Sequence, residues 1–353
     1  MTRVDTVVAG RGLPDRADTS RTGVRRVIGS WPGPWRRGLV LAALALALGL
    51  FMMLHSFVPN QVGNLGSLVD TFLPWFGLGV PVLLVGALAR RSASATVALL
   101  VPVLVWLSLF GGTLGGKSHS GGDLMLASHN VGAANRDPAG TARRLAASGA
   151  DVLALQELSQ EAKATYEKGL AKAYPYHAVQ GTAGLWSKLP VSDVRPVDIR
   201  MDYGPLAKTK QADPRLDENR TLRATVKTDH GPLVVYVAHL ASVRVNPRAG
   251  FGTAQRDRGV QALAEAVTAE RNKRVVLLGD MNGSVADRAF NDITSRMRSA
   301  QDVAGDGFGF TWPASLPMVR IDQILVRGMQ PRSSWVLPAT GSDHRPVAAK
   351  VSW

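Results

Sequence analysis

Polar residues with metal and phosphate chemistry fall in six short clusters in the later part of the chain. In order they are Ser128-His129-Asn130, Leu155-Gln156-Glu157, Ala238-His239-Leu240, Leu278-Gly279-Asp280-Met281-Asn282, Ile321-Asp322-Gln323 and Ser342-Asp343-His344. Each cluster sits at or just past the end of a short apolar run. In a sheet protein that is where side chains leave the core and meet solvent at a rim. Carboxylates, imidazoles and amides gathered in this way point to a metal site for phosphate-ester chemistry.

A phosphodiester resists attack because it is anionic. Its hydrolysis needs charge neutralisation, an activated water and a protonated leaving group. A hard cation such as Mg²⁺ supplies the first and prefers oxygen ligands, usually one or two carboxylates. Glu157 and Asp343 are the metal candidates, against the alternative that both are ordinary surface acids. Asp280 follows Val275-Val276-Leu277-Leu278-Gly279, so its carboxylate can orient or deprotonate water. Asn282 can donate to a phosphoryl oxygen from the same turn; the competing role for this pair is a plain Asp/Asn turn after a strand. His239 and His344 flank strands beside acids, and Asp322 is the expected partner of the His344 ring. Asn130 and Arg220 are candidates for phosphate contact, against a turn residue and a surface charge. Thr311-Trp312-Pro313 reads as a substrate-side loop or as a site for a buried Trp.

The elements that must position these residues are legible in part. Strands are expected at Asp123–Ser128, Asp151–Leu155, Leu222–Val226, Leu233–Ala238, Arg274–Leu278, Arg320–Val326 and Val347–Val351. Asp229-His230-Gly231 is a hairpin turn between two of them. Helices are expected at Pro138–Ser148, capped by Asp137 and stopped by Gly149, at Gln160–Ala173 and at Thr253–Arg271. Strands and helices mix without strict alternation, which favours a layered α/β fold with a largely antiparallel pair of sheets.

Before this region the chain is apolar. Gly38–Val58, Leu65–Ala89 and Ala93–Gly112 each approach the roughly 20 residues needed to cross a bilayer, and none has a polar face. Arg25, Arg26, Arg36 and Arg37 precede the first run, and Arg90 and Arg91 lie between the second and third. By the positive-inside rule the N-terminus and the Arg90 turn are cytoplasmic, and everything after Gly112 lies outside the cell. The expected organisation is a disordered basic cytoplasmic tail (1–37), a three-span transmembrane region (38–112), a flexible Gly/Ser linker (113–122) and a catalytic domain (123–353).

The absence of cysteine excludes disulfides, thiolate metal sites and thiol nucleophiles. The net charge is +14, of which +6 precedes Lys117 and +8 lies from Lys117 onward. The second part is either a solvated surface or a match for an anionic partner, nucleic acid or a phospholipid headgroup. No obligate protein partner is evident.

In order and combination the clusters resemble the endonuclease/exonuclease/phosphatase family, from about Asp123 to the C-terminus. The resemblance implies a four-layered α/β sandwich, two packed and mostly antiparallel sheets with outer helices, here preceded by three transmembrane helices. It implies hydrolysis of phosphate esters dependent on Mg²⁺, or on Mn²⁺ or Ca²⁺ in its stead. By position Glu157 resembles the principal metal ligand, with Asn130 and Asp343 near metal or phosphate. Asp280 resembles the residue that positions water, with Asn282 beside it. His239 and His344 resemble the phosphate-contacting or acid histidines, with Asp322 supporting His344. His239 stands where apurinic endonucleases commonly carry an amide, which tilts away from abasic-site repair. The alternative function is a non-catalytic binding or scaffolding protein on the same fold.

Overall fold

The computed structural model describes residues 33–199, 219–246 and 250–353. Most of the expected tail, with Arg25 and Arg26, lies outside the described residues.

In chain order the strands are β1 (Leu124–Asn130), β2 (Val152–Gln156), β3 (Tyr176–Gln180), β4 (Ala183–Ser187), β5 (Val191–Pro196), β6 (Thr221–Thr228), β7 (Gly231–His239), β8 (Arg244–Asn246), β9 (Gly250–Gly252), β10 (Val275–Asp280), β11 (Arg298–Ser299), β12 (Asp322–Arg327), β13 (Gln330–Val336) and β14 (Val347–Ser352). One six-stranded sheet has the order β13-β14-β1-β2-β4-β3, and the other β11-β12-β10-β7-β6-β5. Side chains alternate across a strand, so each sheet has an inner and an outer face. The inner faces meet in one core, with Leu126, Ala154 and Leu185 opposite Val235, Leu278 and Ile324.

The helices are α1 (Leu39–Met53), α2 (Leu65–Phe72), α3 (Gly79–Ala89), α4 (Ala93–Ala98), α5 (Leu100–Phe110), α6 (Pro138–Ala147), α7 (Gln160–Leu170) and α8 (Ala254–Ala269), with short turns between and after them. Leu145 of α6 and Tyr166 and Leu170 of α7 cover the outer face of the first sheet at Leu153, Leu155 and Trp186. Val260, Leu263 and Val267 of α8 cover the second at Val234, Tyr236 and Leu277. The result is helix, sheet, sheet, helix. Asp137 caps α6 as expected, its Oδ1 accepting from Gly140 N at 2.8 Å.

Two strand pairs are parallel, β1 with β2 and β7 with β10; the others within the two large sheets are antiparallel. Parallel neighbours need a crossover, which α6 and α8 provide. The registers bring Asn130 beside Gln156, and Asp280 beside both His239 and Asp322. Strand polarity therefore delivers the sequence clusters to the same end of each sheet.

The apolar region departs from the expected three spans. Leu65–Ala89 and Ala93–Thr113 form continuous helical segments of 25 and 21 residues, long and apolar enough to cross a membrane. The first run yields only the 15 residues of α1, because the helix ends at Leu54 and a short 3₁₀ turn, His55–Phe57, follows. At 1.5 Å per residue α1 reaches roughly 22 Å, short of a hydrocarbon core of about 30 Å. The Gly-rich segment is not a free tether at its centre either. Lys117 N donates to Asp306 Oδ1 at 2.9 Å and His119 N to Arg332 O at 2.7 Å.

A second set of contacts ties the apolar helices to the sandwich. Asp70, 3 % exposed, accepts from Arg288 Nε at 2.9 Å and Nη2 at 3.2 Å and pairs with His55 Nδ1 at 2.9 Å. Arg288 Nη1 also donates to Val58 O at 2.7 Å. Trp75 Nε1 donates to Met318 O at 2.8 Å, and its ring stacks on Phe310.

Candidate active site

The first strand of the site, β1, ends in Asn130, which is fully buried. Its Nδ2 donates to Glu157 Oε1 at 3.1 Å and to Asp280 Oδ2 at 2.9 Å, across the two sheets. Its Oδ1 accepts from Gly132 N at 3.0 Å, which fixes the direction of the amide. Glu157 follows β2 with φ +59°, a left-handed conformation uncommon for a residue with a Cβ. That turn swings its carboxylate off the strand line, where Oε2 accepts from Ala133 N at 3.1 Å.

Asp280 closes β10 and is 1 % exposed. The glycine before it is required. At Gly279, φ +147°, a Cβ would lie 1.8 Å from Ala238 O of the neighbouring strand. Asn282, φ +47°, folds back so that its N donates to Asp280 Oδ1 at 2.9 Å and its Nδ2 reaches Asp280 Oδ2 at 3.2 Å and Leu240 O at 3.0 Å. The sequence offered Asn282 as a phosphate donor; here its amide supports Asp280.

Two imidazoles face this acid pair. His239 Nε2 lies 3.5 Å from Glu157 Oε1 and 3.7 Å from Asp280 Oδ2, and both its ring nitrogens are buried without a hydrogen bond. His344 Nε2 lies 3.7 Å from Asp280 Oδ2, while its Nδ1 meets Asp322 Oδ2 at 2.9 Å. Ser342 sets the His344 turn: its Oγ donates to Asn130 O at 2.7 Å and accepts from His344 N at 3.1 Å.

Burial dominates the protonation of the centre. It pushes the Asp280 carboxyl up to about 7, although the His344 charge opposes this. It pushes His239 down to about 4 against the attraction of Glu157, with Arg220 adding to the depression. Burial would also raise Glu157, but the His239 charge, the Asn130 amide and the Ala133 N–H outweigh it and hold the carboxyl below its ordinary value. For His344 the charges of Asp322 and Asp280 overcome burial and raise the ring to about 10. One imidazole is thus poised neutral and the other cationic.

Two carboxylates, Glu157 and Asp280, converge at the seam; Asn130 turns its amide nitrogen, not its oxygen, to both, and the unbonded His239 Nε2 lies near the same two acids. This donor set suits a hard divalent cation. A second grouping, Asp280, Asp322 and His344, has ligand atoms within 4.8 Å of one another. The 2.9 Å bond between Asp322 and His344 already satisfies part of that set.

Asp343 stands apart from the expected metal ligands. It is exposed, and its Oδ2 accepts from Trp312 Nε1 at 3.3 Å on the rim. Arg220 stands beside His239: its backbone carbonyl accepts from His239 N at 3.0 Å, and its Nε is buried without a hydrogen bond. Trp312 is 40 % exposed, so it is not the buried Trp that was the alternative for this segment. His129 had no assigned role in the sequence. It is fully buried, its Nε2 is 2.8 Å from Thr340 Oγ1, and burial lowers its pKa to about 3.

A two-sheet α/β sandwich with carboxylates, amides and imidazoles at one end of its strands defines a phosphoesterase-type fold. The sequence profile of the Endonuclease/Exonuclease/phosphatase family matches residues 127–344, and the chain belongs to that family. No curated protein is a match to the sequence. Among solved structures, the chain is similar to a beta toxin from Staphylococcus aureus at 17% identity, covering 65% of this chain and 100% of that one with a TM-score of 0.51. It is similar to humanized D. rerio TDP2 at 18% identity, 65% and 99% coverage and TM-score 0.51. A functionally unknown conserved protein from Enterococcus faecalis V583 gives 17% identity, 65% and 99% coverage and TM-score 0.51. At these identities the likeness is one of fold.

Proposed function

We propose that the chain is a membrane-anchored, divalent-metal-dependent hydrolase of phosphate esters whose catalytic domain faces the outside of the cell. The observation that carries the catalytic part is the convergence of Glu157, Asp280 and Asn130 on one another, with His239 and His344 facing them. Glu157 would hold the cation, with Asp280 next to it and the Asn130 amide donating to both carboxylates. When bound, a cation such as Mg²⁺, or Mn²⁺ or Ca²⁺ in its place, neutralises phosphate charge.

The residues divide the remaining work. Asp280, poised to take a proton near pH 7 and braced by Asn282, orients the attacking water and accepts its proton. His344, kept cationic by Asp322, offers its Nε2 proton to a phosphoryl or leaving oxygen. His239 Nε2, buried without a hydrogen bond, is a further contact for phosphate, with Arg220 beside it. Asp343 acts from the rim through its bond to Trp312.

Anchoring is supported by the outward apolar surface of the helices, where Leu44, Val82, Val85, Leu88 and Leu104 are all exposed. Water tolerates such a surface poorly and a bilayer requires it. The orientation follows the arginines. Ser92, after Arg90-Arg91, bonds to the Arg37 carbonyl, so both basic pairs share one end of the helices. Contacts with the sandwich are made at His55, Val58, Asp70 and Trp75.

The test uses the full chain in detergent with an aryl phosphodiester, with and without Mg²⁺ or Mn²⁺. Hydrolysis that chelation abolishes and added metal restores is expected. A folded protein with no metal-dependent turnover on DNA, RNA, sphingomyelin, phosphatidylinositol and inositol phosphates would leave only a binding role. Steep loss of DNA cleavage with salt marks a nuclease; release of a phosphorylated headgroup from vesicles marks a lipid substrate.

A further inference from the structure

The contact between the apolar helices and the sandwich continues inward as a chain of buried polar groups that ends at the catalytic turn. It begins at Ser67 of α2, fully buried, which Asn60 holds from both sides: Ser67 N donates to Asn60 Oδ1 at 2.9 Å, and Asn60 Nδ2 donates to Ser67 Oγ at 3.1 Å. Ser67 Oγ donates onward to Asp287 Oδ1 at 3.0 Å. Asp287 is fully buried and belongs to the sandwich. Its Oδ2 accepts from Arg256 Nη2 at 2.7 Å, and its Oδ1 also accepts from Ala289 N at 3.0 Å.

Arg256, on α8, is 1 % exposed. Its Nε and Nη2 donate to Asp257 Oδ1 at 2.9 and 2.7 Å, and its guanidinium lies over the Phe290 ring. Its Nη1 donates to Asn282 O at 3.5 Å, and a Cβ on Gly283 would lie only 2.7 Å from that same nitrogen. The guanidinium is therefore packed directly against the Asn282-Gly283 backbone. Asn282 in turn braces Asp280 through two hydrogen bonds. The residue next to Asp287 is Arg288, the arginine that grips Asp70.

A buried guanidinium keeps its place only while its carboxylate is fixed, since a misdirected charge in the interior is costly. One of the Asp287 oxygens accepts from a hydroxyl outside the sandwich as well as from Ala289 N within it. We infer that Ser67 is a positioning residue for the active site, acting through Asp287 and Arg256 on the Asp280–Asn282 turn. Asp70 assists by holding Arg288, the neighbour of Asp287. The apolar segment is then a working part of the enzyme and not only its anchor. The inference rests on the proposed hydrolase function for its kinetic arm alone.

The test compares full-length wild type with Ser67→Ala in detergent, using an aryl phosphodiester with Mg²⁺. It records kcat, KM, the thermal midpoint and backbone hydrogen exchange at Met281–Gly283. Ser67→Ala is expected to lower kcat about tenfold with KM nearly unchanged, because a small displacement of a catalytic group costs rate before binding. Exchange at Met281–Gly283 is expected to accelerate. Asn64→Gly removes another bond between the two parts, Asn64 Nδ2 to Phe251 O, and tolerates the left-handed φ there; it is expected to leave kcat and exchange unchanged. A structural role alone would lower the thermal midpoint and leave kcat per folded molecule intact. Unchanged exchange, or faster exchange with unchanged kcat, overturns the inference. Asp287→Asn serves in place of Ser67→Ala if the latter does not fold. A wild type that hydrolyses no ester defeats the proposed function, and exchange alone then decides whether Ser67 holds the turn.

Discussion

Asn130 Nδ2 lies 2.9 Å from Asp280 Oδ2, joining the last residue of β1 in one sheet to the last residue of β10 in the other. The same nitrogen reaches Glu157 Oε1 at 3.1 Å. One amide thus stands between two acids that would otherwise face each other. Asn130→Ala is expected to lower turnover by about 100-fold and to weaken Mg²⁺ binding, measured by calorimetry on the folded variant. An unaltered rate and affinity would remove Asn130 from the site.

Asp280→Asn is expected to reduce turnover by about 1000-fold. It should also stabilise the metal-free protein, more at pH 8 than at pH 4. The folded-state pKa of Asp280, about 7, lies above the ordinary 3.8, so the fold favours the protonated form. Stability is lost as pH rises from about 4 through 7, and a neutral amide escapes that loss. Thermal melts at the two pH values give the comparison. An equal effect at both would contradict the buried-acid account.

Asp322→Asn is expected to bring the His344 pKa down from about 10, seen in the proton titration of its ring. Because the folded value exceeds the unfolded 6.5, the pair contributes stability below pH 6.5 that disappears as pH rises through 10. The variant should therefore show a shallower alkaline decline in stability. Its rate should fall at pH 8, where the ring no longer holds a proton to give.

His129→Leu addresses the acid side. The His129 pKa is depressed to about 3, so its contribution is present above pH 6.5 and lost as pH falls towards 3. The variant is expected to lose stability less steeply with acid over that range. Some slope should remain, because His239, depressed to about 4, titrates in the same window. An unchanged acid limb would mean that His129 is protonated in the fold.

Much of this site can be read in the sequence, for a physical reason. Asn130, His239 and Asp280 end strands whose apolar runs are long enough to see, and a strand end fixes where the next polar side chain goes. The aim of Asp343 is not legible in the sequence because neighbours on a turn point different ways: His344 turns inward to Asp322, while Asp343 stays on the rim. β3 and β4 are not legible locally because Tyr176–Gln180 and Ala183–Ser187 lack a β-branched alternation. In β4 the glycine at 184 leaves room for the Trp186 ring and Leu158, a demand of packing that no local pattern announces. The bonds of Ser67 to Asp287 and Asp70 to Arg288 span 220 and 218 residues, beyond the reach of any periodicity. Asp70 interrupts an apolar run, and its arginine is too far along the chain for any local pattern to account for it.

The sandwich is held to the apolar helices in two ways, covalently through the segment at Lys117–His119 and laterally by contacts that include the grip of Arg288 on Asp70. A single tether would let the enzyme swivel and sweep a working radius set by the length of its leash. Two attachments remove that freedom, so the mouth of the site keeps one height and one heading relative to the helices. Its reach is then decided by architecture, and lengthening the glycine-rich stretch would not extend it.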